Sequence, residues 1–398
     1  MLERLERLPT DPILGLMAAF RGDADPRKVD LGVGVYRDDR GNTPVVRAVA
    51  QAEQAVLARQ NTKTYVAPAG NAGFNQSMER LVLGDDHPAL TAGRVRSIQT
   101  PGGCGAVRLG AEIVRVASPQ SVVHVSTPTW ANHIPLVTGA GLELARYPYF
   151  DAASGAVSFE AMLSALDKLP ARSVVLLHAS CHNPTGADLS EAQWRELLRV
   201  FKPRGLLPFI DMAYQGLGVG VAEDAFGPRL FSAELPEVLI AVSCSKNFGL
   251  YRERTGSLHV VSESAMAADA ALSQLVRIAR SIYSMPPDHG AAIVQEILSN
   301  EGLRRAWIEE LSGMRSRIQG LRTELVKRLA AAYPQRSFGY IATQRGMFSY
   351  LGIDTPQVRE LRERHHIYMT DDSRVNIAGL SSENIAYFAD SVAQVLRK

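Results

Sequence analysis

Lys246 has the most distinctive chemical setting in this sequence. It follows the apolar run 238–242, which predicts a buried strand because it is short, branched and uninterrupted. Ligands of open α/β sheets bind where strands end. A buried ammonium is costly, so this lysine would pair with an acid or a phosphate, or join a carbonyl as a Schiff base. A solvated charge is the ordinary alternative, but Ser243, Ser245 and Arg254 could together hold a phosphate.

An aspartate follows a second apolar run. Asp211 comes directly after residues 206–210, and Tyr214 stands three positions further on. Buried aspartates are rare unless they are paired. A protonated pyridine nitrogen would be a suitable partner, with Tyr214 bonded to the neighbouring ring oxygen. A metal ion is the competing partner, but no second carboxylate or histidine stands at ligand spacing in this stretch, so we expect no metal site.

Two more predicted strand ends carry polar or aromatic side chains. Asn183 lies in the run His-Asn-Pro-Thr-Gly, which predicts a turn first of all. In a functional version its amide would bond a ligand hydroxyl, with a cis Asn183–Pro184 peptide fixing its direction. After the run 122–125, Trp130 could stack on a planar ring, with His133 close behind it. Filling the core is an equally open interpretation of this tryptophan.

A small-residue stretch, residues 100–106, precedes a predicted helix and contains Gly102, Gly103 and Cys104. Free N–H groups at such a helix start suit a phosphate. It is not a dinucleotide fingerprint, because Arg108 occupies the third glycine position. Alone it is weak evidence. Together, however, the five segments supply a phosphate cradle, a stacking plate, a hydroxyl partner, a pyridinium counter-ion and a Schiff-base lysine, which are the parts of a pyridoxal phosphate (PLP) site.

The elements that must position these residues alternate along the chain. Short apolar runs at 122–125, 174–177, 206–210 and 238–242 are separated by amphipathic stretches such as 191–201. This alternation predicts a largely parallel sheet flanked by helices.

The last hundred residues follow a different pattern. Apolar positions from Leu303 to Leu329 recur in steps of three and four, which predicts one long helix. Beyond Tyr340, a short strand at 347–351 and a helix at 355–365 predict a small α+β domain. We therefore expect these parts: an N-terminal arm at 1–14, a small domain of 15–45 and 312–398, and a large PLP-binding domain at 46–311. Pro9, Asp11 and Pro12 should prevent a continuous helix in the arm.

Composition excludes several classes of protein. The chain has 398 residues, of which 46% are hydrophobic and 21% charged, as in globular proteins. Its net charge of +2, without runs of like charge, predicts no nucleic-acid partner. Three cysteines without a CxxC pair favour a reducing compartment. We see no signal peptide and no apolar run long enough to span a membrane. We therefore expect a soluble, cytoplasmic protein.

Over nearly its full length the sequence resembles the class I, fold-type I PLP aminotransferases, in the branch that acts on aspartate and aromatic amino acids. The motifs HNPTG, SCSKNFGLYRER and SRVNIAG, in this order, carry the resemblance. It implies a large α/β domain with a mostly parallel seven-stranded sheet flanked by helices, plus a small α+β domain. It also implies transfer of the amino group of aspartate, phenylalanine, tyrosine or tryptophan to 2-oxoglutarate. The mechanism would be ping-pong, with PLP alternating with pyridoxamine phosphate.

The resemblance assigns roles to residues. Lys246 would carry the Schiff base and move the proton, Asp211 would keep the pyridine nitrogen protonated, and Tyr214 would complete the catalytic set. The implied cofactor-binding residues are Gly102, Gly103, Cys104, Trp130, His133, Asn183, Asp211, Tyr214, Ser243, Ser245, Lys246, Arg254 and Tyr65. The implied substrate-binding residues are Gly34, Trp130, Asn183, Arg280 and Arg374. Tyr65 and Arg280 would come from the partner subunit, which implies a homodimer with shared active sites.

Two residues depart from the family pattern. Cys104 stands where a threonine or serine hydroxyl is usual, and a thiol is a weaker donor to a phosphate. Met285 replaces a more polar residue near the substrate entrance. We interpret this as dual use, with dicarboxylates held by Arg280 and aromatic substrates accepted if that arginine swings aside.

Three alternatives remain. Ser243 to Lys246 satisfies the S-x-x-K motif of penicillin-recognising serine hydrolases, although neither KTG nor SDN occurs in the chain. A non-catalytic binding protein could have kept the scaffold, although such a module needs no base at position 246. Decarboxylation or β-elimination on the same fold is the third alternative.

Overall fold

We describe a computed structural model of the chain, which covers residues 1–8 and 11–397. The strands are β1 (Val29–Asp30), β2 (Val95–Pro101), β3 (Val122–Thr127), β4 (Glu143–Pro148), β5 (Phe150–Asp151), β6 (Ala156–Val157), β7 (Val174–His178), β8 (Leu207–Met212), β9 (Val238–Ser243), β10 (Thr255–Val261), β11 (Phe348–Tyr350), β12 (Ile367–Tyr368) and β13 (Arg374–Asn376). The α-helices are α1 (Pro12–Gly22), α2 (Arg47–Arg59), α3 (Ala72–Leu83), α4 (Pro88–Thr91), α5 (Gly102–Ala117), α6 (His133–Thr138), α7 (Phe159–Leu166), α8 (Glu191–Arg204), α9 (Phe226–Glu234), α10 (Ala265–Ile282), α11 (His289–Ser299), α12 (Glu301–Ala332), α13 (Tyr340–Thr343), α14 (Thr355–His365) and α15 (Ile385–Leu396).

Seven strands form one sheet, in the order β2-β10-β9-β8-β7-β3-β4. β10 is antiparallel to both of its neighbours, and the other pairs are parallel. Every residue of β7, β9 and β10 is buried, as expected when helices cover both faces of a sheet. The prediction of a mostly parallel seven-stranded α/β sheet is confirmed.

The sheet carries the predicted strand ends to one edge. The apolar runs at 122–125, 174–177, 206–210 and 238–242 form β3, β7, β8 and β9. Because these strands are parallel, their carboxyl ends meet at one edge. β2 runs in the same direction as β9, since both are antiparallel to β10. The start of α5 therefore lies at this edge as well.

The described residues divide into two compact units. The larger consists of Pro44–Arg317 and Gln344–Gly346. The smaller consists of Met1–Thr43, Ile318–Thr343 and Met347–Lys398. The sequence had predicted a large domain of residues 46–311. α12 supplies residues to both units, and it covers the long helix predicted from Leu303 to Leu329.

The smaller unit combines helices with short strand pairs. β1 pairs in parallel with β12, and β11 pairs antiparallel with β13. α14 has the predicted bounds because Asp354 and Gln357 form a capping box at its start. The α+β character expected of this part of the chain is present.

The N-terminal region differs from the expected arm. Asp11 accepts hydrogen bonds from Ile13 N at 2.9 Å and Leu14 N at 3.0 Å, and Pro12 is the first residue of α1. Aspartate as the cap and proline in the first turn are favourable starts for a helix. The helix thus begins inside the segment 1–14, while Pro9 lies outside the described residues. None of the described helices combines the length and hydropathy needed to cross a membrane.

Candidate active site

A cavity of about 90 Å³ opens at the carboxyl edge of the large sheet. Its walls come from the ends of β8 and β9, the start of α5 and the loops after β3 and β7. It is lined by Gly103, Cys104, Trp130, Asn183, Asp211, Ala213, Tyr214, Ser243, Ser245, Lys246 and Arg254. All of these except Ala213 are residues that the sequence predicted for the site.

Lys246 lies three residues beyond the end of β9 and is half-buried. Its Nζ stands 5.2 Å from the centroid of the Tyr214 ring. Burial lowers the pKa of Lys246, the charge of Asp211 opposes this, and the charge of Arg254 lowers the pKa further. The shift favours the uncharged amine, which is the form that acts as a nucleophile or a base.

Asp211, near the end of β8, is only 6% exposed. Its Oδ2 lies 3.0 Å from His133 Nε2, and a carboxylate can only accept, so the proton of this bond belongs to the histidine. Burial by itself would raise the pKa of Asp211, but the hydrogen bond and charge of His133 outweigh it and lower the pKa below its ordinary value. The cavity therefore presents an ionised carboxylate, which suits a cationic partner.

Two histidines stand beside Asp211, although none was visible at ligand spacing in the sequence. Ring nitrogens of His133 and His178 and a carboxylate oxygen of Asp211 all lie within 4.8 Å of one another. His133 is held on its other side by Thr129 Oγ1, 2.8 Å from Nδ1. Burial lowers the pKa of His178 to about 3, so this ring is neutral. Residues so far apart in the chain could not be grouped by local spacing.

The start of α5 and Arg254 form a cationic corner. Gly102 has φ +70°, and a Cβ at this residue would lie 2.5 Å from Arg254 Nη2. A Cβ at Gly103 would lie 3.0 Å from Ser243 Cβ. The first N–H groups of α5 have no side-chain cap. Together with the guanidinium they suit an anionic phosphate. Gly102 itself does not line the cavity, but it allows Arg254 to come close.

Three further predicted residues complete the walls. Trp130 is half-buried and packs edge-on against His133, with ring centroids 5.2 Å apart, so it lines the cavity rather than filling the core. The Asn183–Pro184 peptide is cis, as expected from the sequence. The thiol of Cys104 accepts from Asn132 Nδ2 at 3.5 Å.

Besides Gly102 and His133, four predicted site residues do not line this cavity. Tyr65 is 88% exposed, and Arg280 is exposed in the last turn of α10. Gly34 and Arg374 belong to the smaller unit. Within that unit Arg374 Nη2 donates to Gly32 O at 2.7 Å, and its guanidinium lies 4.4 Å from the ring centroid of Phe348.

Gly34 approaches the same Phe348 ring, because a Cβ at this residue would lie 2.7 Å from Phe348 Cζ. Gly34 and Arg374 thus meet at one aromatic side chain of the smaller unit. His133 stands behind Asp211 rather than in the wall. Ala213 was missed, and nothing in its side chain could have marked it.

The cavity fits the cofactor that the sequence resemblance implies. PLP carries a phosphate, a basic ring nitrogen and an aldehyde. The cavity offers a cationic corner, an ionised Asp211 and a lysine whose pKa is lowered. These groups surround one space, and each matches one part of the cofactor.

Comparison with known proteins leads to the same cofactor and to the family that the sequence resembles. The family model "Aminotransferase class I and II" matches residues 26–392. The aromatic-amino-acid aminotransferase of Pseudomonas aeruginosa is 46% identical over 392 residues, or 98% of each chain. The aspartate aminotransferase of the same bacterium is 42% identical over 396 residues, covering 100% of each chain. The crystal structure of the aromatic-amino-acid aminotransferase from Burkholderia pseudomallei, covalently bound to PLP, is 44% identical with a TM-score of 0.97, covering 100% of this chain and 99% of that one.

Proposed function

The chain belongs to the class I and II aminotransferase family, and from that premise we propose that it transfers the amino group of aspartate and of aromatic amino acids to 2-oxoglutarate. The products are glutamate and the corresponding 2-oxo acid. The protein is a PLP-dependent transaminase. The observation that carries the proposal is the lysine of lowered pKa beside an ionised aspartate in one cavity.

The residues of the cavity divide the work of holding PLP. Asp211 would keep a proton on the ring nitrogen, with His133 fixing its carboxylate. Arg254, the serines 243 and 245, and the first N–H groups of α5 would bind the phosphate. When bound, PLP supplies an electron-accepting ring and a carbon to which amino groups attach. Asn183 and Tyr214 would bond the ring oxygen, and Trp130 would stack on the ring.

Lys246 acts as the base. An ordinary lysine has a pKa of about 10.4 and is protonated near neutral pH. Burial removes water from this ammonium and favours the neutral amine. Nζ would then accept the proton from the substrate Cα and deliver it to the cofactor carbon that carries the amino nitrogen, which is the proton movement that transamination requires.

The substrate carboxylates require arginines. A guanidinium matches a carboxylate with two parallel hydrogen bonds, which a lysine does not. We assign the α-carboxylate to Arg374, with Gly34 leaving room beside it. We assign the distal carboxylate of aspartate to Arg280 of the partner subunit, and a phosphate contact to Tyr65 of the partner subunit. The solvent exposure of Arg280 and Tyr65 in the single chain supports a homodimer with shared sites.

A cytoplasmic location is part of the proposal. Cys104 and Cys244 carry free thiols, which is common in a reducing compartment. The serine-hydrolase alternative finds no support, because Ser243 is the last residue of a strand rather than part of a helix start. Membership of an enzyme family likewise disfavours a binding module without activity.

The test is a screen of amino donors with 2-oxoglutarate as the acceptor, using protein loaded with PLP. We expect turnover of aspartate, phenylalanine, tyrosine and tryptophan, with parallel double-reciprocal plots because the two substrates share one site in turn. Dual specificity is excluded if no aromatic donor reacts. The whole proposal fails if glutamate does not form from any donor.

A further inference from the structure

Two acidic residues outside the active-site cavity have no role in the chemistry described above. Asp188 and Asp224 line a second cavity of about 220 Å³ in the larger unit, together with Arg345. Asp188 follows the turn that carries Asn183, and Asp224 lies in a short 3-10 helix, Glu223–Ala225.

Asp188 holds the turn before Asn183. Its Oδ2 accepts from Cys181 N at 2.7 Å, and its Oδ1 accepts from His182 N at 2.8 Å. These are the two residues immediately before Asn183. Cys181 adopts φ +53°, a backbone conformation that non-glycine residues rarely take. Two charge-assisted hydrogen bonds therefore support an unusual backbone directly beside a wall residue of the active site.

Asp224 holds the loop after Tyr214 in the same way. Its Oδ2 accepts from Gly216 N at 2.8 Å and Gly218 N at 2.9 Å, and its Oδ1 accepts from Val219 N at 2.8 Å. A Cβ at Gly218 would lie 2.6 Å from Asp224 Oδ1. The loop can therefore wrap this carboxylate only because a glycine stands there.

The two carboxylates share one electrostatic environment. Burial raises the pKa of Asp188 to about 6, the charge of Asp224 adds to this, and the N–H donors and Arg345 oppose it. Burial also raises the pKa of Asp224, against the pull of its own N–H donors. Burying these two carboxylates is costly, and hydrogen bonds from two loops offset that cost. One loop carries Asn183 and the other carries Tyr214.

We propose that Asp188 and Asp224 are positioning residues of the active site. Asp188 fixes the turn of Asn183, and Asp224 fixes the loop of Tyr214, each through backbone N–H groups. Together they set the hydrogen bonds that Asn183 and Tyr214 make to the ring oxygen of bound PLP. The inference rests on the proposed function.

The test uses Asp188→Asn and Asp224→Asn in the full-length protein loaded with PLP. Asparagine keeps the size of aspartate, but it offers one acceptor oxygen and turns an N–H donor toward the other backbone N–H. The readout is the pH at which the visible absorption band of the holoenzyme changes. Looser bonds to the ring oxygen should raise that pH by about half a unit or more. Asp151→Asn is the control, because half-buried Asp151 also accepts backbone N–H bonds, from Ala153 and Ser154, and does not line the active-site cavity.

Double variants separate positioning from a general effect. If Asp188 acts through Asn183, Asp188→Asn should cause no further shift in an Asn183→Ala background, and Asp224→Asn none in a Tyr214→Phe background. Full additivity in both pairs would overturn the proposal, as would single variants that titrate like the wild type.

Hydrogen exchange of the protein without PLP gives a reading that does not depend on the cofactor. The amides of residues 181, 182, 216, 218 and 219 should be strongly protected in the wild type. Asp188→Asn should expose only the first two amides, and Asp224→Asn only the last three. Rapid exchange in the wild type would overturn the proposal. A failure of the proposed function would be recognised separately, by a wild type that forms no visible band with PLP.

Discussion

In the cavity, a proton on Lys246 Nζ is disfavoured by burial and favoured by the negative charge of Asp211. Asp211 is ionised in turn because His133 donates to it. Asp211 therefore interacts both with the amine of Lys246 and with His133. A substitution at Asp211 or His133 would change the electrostatic environment of Lys246, so each effect on rate has to be separated from the loss of cofactor binding.

We expect Lys246→Arg to lower kcat by roughly 10²–10⁴-fold or more, because a guanidinium stays protonated and cannot act as the base. PLP should still bind, since the phosphate corner is unchanged. The measurements are steady-state kinetics and equilibrium dialysis with PLP. Lys168→Arg, at an exposed lysine, is the control and should behave like the wild type. Substantial activity of Lys246→Arg would contradict the assignment of the base.

The raised pKa of Asp188 predicts a pH dependence of stability. Between the ordinary pKa of 3.8 and about 6, the folded protein holds a proton that the unfolded chain has released. The stabilisation from this group is therefore complete below pH 3.8 and is lost as the pH rises through about 6. The free energy of unfolding of the wild type relative to Asp188→Asn should fall by up to about 3 kcal/mol over this range.

Denaturant unfolding of the protein without PLP, at intervals between pH 4 and 7, measures this difference. The constant loss of one hydrogen bond in Asp188→Asn shifts every point equally, so only the slope matters. Asp86→Asn, at an exposed aspartate, is the control variant, and the slope of its free energy difference against pH is the baseline. A slope for Asp188→Asn equal to this baseline would contradict the raised pKa of Asp188.

At the scale of elements, the site depends on where parallel strands and one helix end. β3, β7, β8 and β9 are parallel neighbours, so their following loops converge on one edge. α5 joins them because β2 ends in register with the start of β10, Pro101 facing Thr255. Arg254 immediately precedes Thr255, which places its guanidinium beside the first turn of α5.

We expect Gly102→Ala to weaken PLP binding by about tenfold or more, since losing part of a charge-assisted contact costs on the order of 1–3 kcal/mol. The residue has φ +70°, and the added Cβ would lie 2.5 Å from Arg254 Nη2. The guanidinium would therefore be displaced. Titration of the apo protein with PLP, followed by absorbance, measures the dissociation constant.

Gly313→Ala provides the matched control, because this glycine lies within α12 and a Cβ there meets nothing within 4 Å. Its PLP affinity should equal that of the wild type, and its stability should rise slightly because alanine favours a helix. An unchanged affinity in Gly102→Ala would argue against Arg254 as a phosphate ligand.

At the scale of the whole molecule, the proposed site needs a second copy of the chain. In the single chain Tyr65 and Arg280 face solvent. Among the residues that line the described cavity, Arg254 is the one arginine that could bind the distal carboxylate of a substrate. Arg254 is committed to the phosphate in our proposal. A homodimer in which each subunit places its Arg280 in the site of the other subunit would supply the positive charge for the distal carboxylate.

Mixed dimers test this exchange. Lys246→Ala should be inactive, and Arg280→Ala should lose activity toward aspartate. If Arg280 serves the neighbouring subunit, a dimer of one chain of each kind contains one intact site and should recover about half of the wild-type rate per dimer. The rate is measured with aspartate after co-expression of differently tagged chains and purification on both tags. Homodimers of each variant are the controls. No recovery would show that Arg280 acts within its own chain.

The sequence alone predicts most of the residues that line the cavity. Lys246, Asp211 and Asn183 each follow a short, fully apolar run, and parallel strands in a sheet necessarily place such ends along one edge. That argument needs only local patterns and a topology rule. At the N-terminus the same local logic predicts a break at Asp11 and Pro12, and it missed that these two residues start a new helix.

Tertiary structure alone decided which side chains far apart in sequence meet. His178 stands beside Asp211, Trp130 faces the cavity, and Asp188 and Asp224 share one buried space with Arg345. Apart from Trp130, whose position after a strand was visible, none of these residues has a marked pattern around it, because the groups come from separate loops. Burial also shifts the pKa values of His178, Asp188 and Asp224, and burial depends on the packing of the whole unit rather than on any segment of the chain.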